Sequence, residues 1–278
     1  MLFDIQKLSS FSDGQSGGNP AGVFIGQDLP SAQNMQEIAA EVGFSETVFA
    51  MPENGSWRVR YFSPESEVPF CGHATIALGA ALAERHGDQE FQLKLNKADI
   101  SVRGEKAGDL MRASLQSPPT QSEPADSALV GEILDLFGYE AQDLDQAIPI
   151  GYAQAGAAHI IISLKSREKL AQMSYGLNAG RKLMQAHGLV TIAFIFSETP
   201  QLFHVRNAFA SGGVVEDPAT GAAAAALAGY LRDIDWPHNG NVTIIQGEDM
   251  GMRSIIKMEI PSALGSSIKV TGTVRPLT

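Results

Sequence analysis

The chain has one cysteine, Cys71, in 278 residues. An internal disulfide framework is therefore excluded, and such sparing use of cysteine fits a reducing compartment. Basic residues are also scarce. Lys and Arg total 20 against 31 Asp and Glu, for a net charge of −11. That balance argues against nucleic acid and anionic membranes as partners. An anionic substrate would need a locally electropositive site. Long apolar runs are missing too: the stretches near Ala74–Ala83 and Ala222–Ala228 fall well short of the ~20 residues a membrane span needs. The first twelve residues carry Asp4 and no basic segment leading into an apolar one, so no signal peptide is expected and the expected location is cytoplasmic. The six histidines show no metal-ligand spacing, with His86, His187, His204 and His238 scattered. No strand leads into a phosphate-cradling glycine loop, and there is no serine nucleophile elbow. The chain reads as needing neither metal nor cofactor.

What is present is a globular composition, 44% hydrophobic and 18% charged, with length for two domains of ordinary size. The run Gly72-His-Ala-Thr-Ile-Ala-Leu-Gly-Ala-Ala-Leu82 returns from Gly221 as Gly-Ala-Ala-Ala-Ala-Ala-Leu-Ala-Gly-Tyr-Leu231, with Gly, two Ala and two Leu in register. Each copy follows an Arg-containing stretch ending in Phe (Arg60 to Phe62, Arg206 to Phe209) and a polar loop. A self-match in a shared context of strand, loop and helix suggests a duplicated architecture. Two helix starts of this kind, facing each other, offer free N–H donors suited to a carboxylate. The expected architecture is α+β: two pseudo-symmetric domains, residues 1–117 and 118–278, each a curved, mostly antiparallel sheet around a central helix. The last strand is left free to pack near the junction.

Strands are expected at Phe3–Leu8, Ala21–Gly26, Thr47–Met51 and Trp57–Phe62. Ser31 caps a helix with an apolar face of Met35, Ile38, Ala39 and Val42, ended by Gly43. Three prolines in residues 117–124 suggest a linker, and a later helix is capped near Ser127.

Chemistry concentrates at the two helix starts. Residues 64–73 bring Glu65, Glu67, Cys71 and His73 before the first helix, and residues 215–221 bring Glu216 and Asp217 before the second. With Pro218 in the first helical turn, Asp217 reads as an N-cap. His73, read as the first helical residue, stands at the positive end of the helix dipole, where its ring nitrogens can donate or accept. Glu46 enters an apolar strand, a place suited to taking and returning a proton. Ser-Glu-Thr recurs at 197–199, but there Glu198 precedes Pro200 and reads as a surface turn.

The blocks Gly18-Asn-Pro-Ala21, Ser45-Glu-Thr-Val-Phe49, Phe62-Ser-Pro64, Glu67-Val-Pro-Phe-Cys-Gly-His-Ala-Thr75 and Glu216-Asp-Pro-Ala-Thr-Gly221 resemble the phenazine-biosynthesis PhzF family over nearly the whole chain. The resemblance implies the diaminopimelate-epimerase-like fold with its active site between two domains, cofactor-independent isomerisation of a small carboxylated substrate, and commonly a homodimer. It makes Glu46 the acid/base, with His73 and Asp217 beside it. Asn19, Ser45, Gly72, Thr220, Gly221 and Ala222 become substrate-binding positions, and His159, which also matches, reads as structural. Epimerase relatives place a cysteine before each repeat glycine; here those positions are Cys71 and Thr220. A hydroxyl is too weak an acid to replace a thiol, so one carrier, Glu46, is expected rather than two. The rival readings are an amino-acid-type epimerase or racemase pairing Cys71 with Glu46, and an inactive ligand-binding protein. Ala222 stands where members acting on the phenazine intermediate tend to have Ser, which removes a hydrogen bond to that substrate.

Overall fold

The computed structural model describes residues 4–277, which fall into two compact units. One holds the chain up to Gln116 together with the stretch from Thr271 onward; the other is Ser117–Val270.

In the first unit the strands are β1 (Gln6–Ser10), β2 (Asn19–Ile25), β3 (Glu46–Glu53), β4 (Ser56–Phe62), β5 (Glu67–Val68), β6 (Gln89–Lys94), β7 (Asp99–Ala107) and β8 (Leu110–Gln116). The expected first strand starts earlier, at Phe3, which lies outside the described residues; pairing begins at Gln6. The final strand of the chain, β17 (Lys269–Pro276), lies antiparallel to β1 and also pairs with β8. The order β17-β1-β2-β3-β4-β6-β7-β8 therefore returns to β17 as a ring. The pairs β2–β3 and β4–β6 are parallel, while β1–β2, β3–β4, β6–β7 and β7–β8 are antiparallel.

Helix α2 (Gly72–His86) runs inside this ring, and every residue from His73 to Ala83 is buried. A helix apolar all round has no solvent face and must be enclosed. Its alanines keep it thin, and Gly79 brings it closer still: a Cβ there would stand 2.5 Å from the Val102 side chain on β7. Gly104, on the same strand, faces the Gly79 carbonyl with no room for a side chain. Helix α1 (Ala32–Val42) covers the outer face, packing Met35, Ile38, Ala39 and Val42 against Phe24, Phe49 and Phe62. Its ends are those the sequence shows: Ser31 Oγ accepts from Asn34 N–H, and Gly43 turns left-handed at φ 72°.

The second unit contains β9 (Gln121–Pro124), β10 (Gly151–Gln154), β11 (Ala158–Ser163), β12 (Thr191–Thr199), β13 (Leu202–Ala208), β14 (Glu216–Asp217), β15 (Asn241–Gln246) and β16 (Ser254–Glu259). They pair in the order β9-β10-β11-β12-β13-β15-β16, with β14 on β13. The buried helix here is α6 (Gly221–Asp233), with Ala223 to Arg232 all enclosed. Helices α3 (Ser127–Phe137), α4 (Arg167–Ala171) and α5 (Leu177–Ala186) contribute Ile133, Leu170 and Met184 to a separate core with Ile160, Ile192 and Phe194.

The α3 cap is Asp126, whose carboxylate accepts from Ala128 and Leu129 N–H, while Ser127 is the first helical residue. The proline-rich stretch is no loose linker. Ser117 N–H bonds the Ile268 carbonyl at 2.8 Å, and residues 121–124 are strand β9 on β10.

His159 sits fully buried on β11 opposite Thr191, whose hydroxyl is 2.7 Å from its Nδ1. Its Nε2 has no hydrogen-bond partner among the described residues. Burial alone pushes the ring's pKa down from 6.5 to about 3. The unfolded chain then binds a proton that the folded chain refuses between those values. Stability is full above about 6.5 and falls as pH drops toward about 3. Denaturant unfolding across this range should show that loss, and His159→Asn should flatten it. An equally steep acid slope in the variant would place the loss elsewhere.

Candidate active site

Helix α2 begins where Cys71, in extended conformation (φ −146°, ψ 117°), serves as N-cap without a side-chain capping bond. The cap is held instead from below. Thr75 Oγ1 donates to the Cys71 carbonyl at 2.7 Å. Tyr61 Oη, 2.7 Å from the same Thr75 oxygen, is left to donate to it. Burial pushes the Tyr61 phenol well above its usual range, so it stays a donor. Two residues on from Cys71, the His73 carbonyl accepts from Ser10 Oγ at 2.7 Å. Gly72, not His73, is the first helical residue. His73 remains in the first turn, 6% exposed.

Around the His73 ring the structure gathers three side chains. Glu46 Oε2 lies 3.5 Å from Nε2 and Ser45 Oγ 3.4 Å from it, while Cys71 Sγ stands 3.3 Å from Nδ1. Glu46 is placed by the left-handed turn at Gly43 and by the parallel register of β3 on β2, where it lies opposite Ala21. Asn19, buried on β2, lies opposite Ser10, the residue that holds the His73 carbonyl. Five expected residues (Asn19, Ser45, Glu46, Gly72 and His73) thus fall within one connected region of the first unit.

The other carboxylates of that loop have different work. Glu67 on β5 accepts two hydrogen bonds from Arg60 on β4, at 2.7 and 2.6 Å, and one from Asn96 Nδ2 at 2.6 Å. The guanidinium, with the amide's help, holds this carboxyl below the usual range. Glu65 is exposed.

In the second unit the cap of α6 is Thr220. Asp217 is therefore not the N-cap; it sits three residues earlier on β14, opposite Asn207. Thr220 Oγ1 accepts from Asn207 Nδ2 at 2.6 Å and from Gln246 Nε2 at 3.2 Å. A hydroxyl has two lone pairs and one proton. With both lone pairs met by amides, the proton goes to Asp217 Oδ2, the third partner of Thr220 Oγ1. Gln246 Nε2 also donates to the Asp217 carbonyl at 2.7 Å. Gly221 and Ala222 follow as the first residues of α6, both partly exposed. Beside them Glu216, its side chain only 4% exposed, forms an ion pair with Arg206 of β13 at 2.6 Å.

Asn207 and Gln246 were not expected as site residues. A lone Asn at a strand end carries no sequence signal, and Gln246 stands out only by preceding Gly247. Glu198 is exposed near the end of β12, 2.7 Å from His204 Nε2. A cavity of about 470 Å³ opens at the far end of α2, lined by Ala80, Glu84, Lys106 and Met111 among others. It holds none of the expected site residues, so the chemistry is read from the side-chain cluster at the helix start.

The sequence pattern of the phenazine biosynthesis-like family (PhzC-PhzF) matches residues 8–276. A trans-2,3-dihydro-3-hydroxyanthranilate isomerase of Pseudomonas fluorescens is 31% identical over 90% of this chain and 87% of its own. The uncharacterized isomerase YddE of Escherichia coli K12 is 31% identical over 96% of this chain and 93% of its own. Among solved structures, a PhzF-family phenazine biosynthesis protein of Bacillus anthracis superposes with a TM-score of 0.87 over 99% of this chain and 97% of that one, at 22% identity. That likeness carries the fold. With its family pattern spanning all but the ends, the chain belongs to the phenazine biosynthesis-like family.

Proposed function

We propose that this protein is a cofactor-independent isomerase that moves a proton, and with it a double bond, within a small carboxylated substrate. The observation that carries the reading is the placement of Glu46 beside His73 Nε2 and Ser45 Oγ: one carboxylate on a rigid strand start, next to groups able to polarise a substrate. Glu46 takes a proton from one carbon and returns it to another. His73 orients the substrate, and the N–H groups opening α2 receive its carboxylate or the oxyanion that develops. On its family motif we assign Asp217 a catalytic role as well. We read the two units as duplicates. Supporting this, an Arg one strand back grips the Glu of a two-residue strand before each buried helix, Arg60 with Glu67 and Arg206 with Glu216. We also propose a homodimer, as the family resemblance implies, and a cytoplasmic location, as the cysteine usage suggests.

A two-base racemase would need a second proton carrier before Gly221. Thr220 already spends its one proton on Asp217, which supports the single-carrier reading. The rival with Cys71 retains one point in its favour, the 3.3 Å approach of Sγ to His73. Ultraviolet-monitored isomerisation of trans-2,3-dihydro-3-hydroxyanthranilate, the substrate in a relative's name, tests the class. Cys71→Ala should keep its rate within about tenfold of the unaltered chain, below the 10²–10⁴ a proton carrier supplies. A loss of that larger size would transfer the chemistry to a thiol–carboxylate pair.

A further inference from the structure

We propose that Cys71, His73 and Glu46 together form an inhibitory binding site for a thiophilic divalent metal ion of the zinc type. The ligand atoms of the three side chains lie within 4.8 Å of one another. In a tetrahedral zinc site, metal–ligand bonds of about 2.3 Å to sulfur and about 2.0–2.2 Å to nitrogen and oxygen put the ligand atoms roughly 3.4–3.6 Å apart. His73 Nε2 and Glu46 Oε2 are 3.5 Å apart, and Cys71 Sγ is 3.9 Å from the same nitrogen. Small side-chain shifts therefore bring all three donors onto one ion through Nε2.

The backbone under the donors is already fixed. The Cys71 carbonyl is held by Thr75, the His73 carbonyl by Ser10, and Glu46 by its register on β2. Rigid supports of this kind lower the cost of assembling a coordination shell. A thiolate and a carboxylate together neutralise a divalent charge. The mixed sulfur and nitrogen donors favour zinc or cobalt over magnesium or calcium, which want oxygen alone. As the metal–sulfur bond forms, the thiol proton passes to solvent, and no electron changes hands. Three protein donors leave a fourth position for water.

That binding inhibits rests on the reading of Glu46 as proton carrier: a carboxylate bound to metal cannot collect a proton. That binding occurs does not rest on it, and spectroscopy separates the two. Titrating the metal-stripped full chain with Co²⁺ should give a thiolate-to-metal charge-transfer band in the near ultraviolet and strong visible bands of a four-coordinate ion. Both should saturate at one equivalent and be displaced by Zn²⁺. Glu46→Gln and His73→Asn should each weaken Co²⁺ binding by about tenfold or more. Should His73→Asn fail to fold, the near-isosteric Glu46→Gln carries the test. Absence of the thiolate band in the unaltered chain, or an affinity unmoved by Glu46→Gln, overturns the proposal. A chain that shows the band yet isomerises nothing would overturn the isomerase reading and leave the metal site standing. With an active chain, one equivalent of zinc should abolish turnover and a chelator restore it.

Discussion

Glu46→Gln is expected to lower turnover by about 10³-fold, within the 10²–10⁴ that a positioned acid or base supplies, while the protein stays folded. The amide keeps the size and shape of the carboxylate but cannot accept a proton. Ser45 and His73, 3.4 Å apart, would still bind and polarise the substrate, so KM should move far less than kcat. The Glu46 side chain is 17% exposed, and its loss should change stability by no more than about 1 kcal/mol. Rates in the ultraviolet assay, with unfolding curves for both chains, decide the matter. A glutamine variant that retains full activity would remove Glu46 from the mechanism. So would substrate carbon–hydrogen exchange with deuterated solvent that continues at the original rate.

The second large effect is on stability. Arg206→Ala should cost about 3–5 kcal/mol, the loss typical when one partner of a buried ion pair is removed. The Glu216 side chain is 4% exposed and Arg206 13%, so the abandoned carboxylate could not reach bulk water. The same guanidinium also donates to the carbonyls of Ala171 and Met173, at 2.9 and 3.0 Å, which tie the end of α4 to β13. Arg60→Ala offers the internal comparison. Its ion pair with Glu67 is 22% and 28% exposed, where solvent screens the charges and a cost nearer 1 kcal/mol is expected. Calorimetry of the two variants should show Arg206→Ala melting several degrees lower than Arg60→Ala. Equal shifts would mean that burial does not set the cost of these pairs.

Helix α1 could be read from the sequence end to end, because its cap, apolar spacing and stop signal are all local. Helices α2 and α6 announced themselves differently, as alanine-rich runs with no polar face, and the structure encloses both. Cap positions were less legible. Ser127 and Asp126 both suit a cap, and only the backbone decides between them. Asp217 reads as a cap because Asp-Pro so often opens a helix. Here Thr220 takes that place, and Asp217 receives the Thr220 hydroxyl proton instead. The approach of Ser45 and Glu46 to His73 joins residues far apart in sequence; the family resemblance sets Glu46 beside His73 but gives no contact of Cys71 with that ring. Asn207 carries no signal, and Gln246 only its place before Gly247, because their role lies in saturating one hydroxyl, a property of three-dimensional arrangement. The return of β17 to β1 was equally hidden: a strand's sequence records its alternation, not its neighbour.

That return has a consequence during synthesis. Without β17, the ring of the first unit stays open between β1 and β8, so the nascent chain carries two bare strand edges while Ser117–Val270 is still being made. At roughly 5–20 residues per second, the interval is on the order of ten seconds. The piece translated first is therefore completed last. Until then its exposed edges are open to pairing with neighbouring chains on the same messenger.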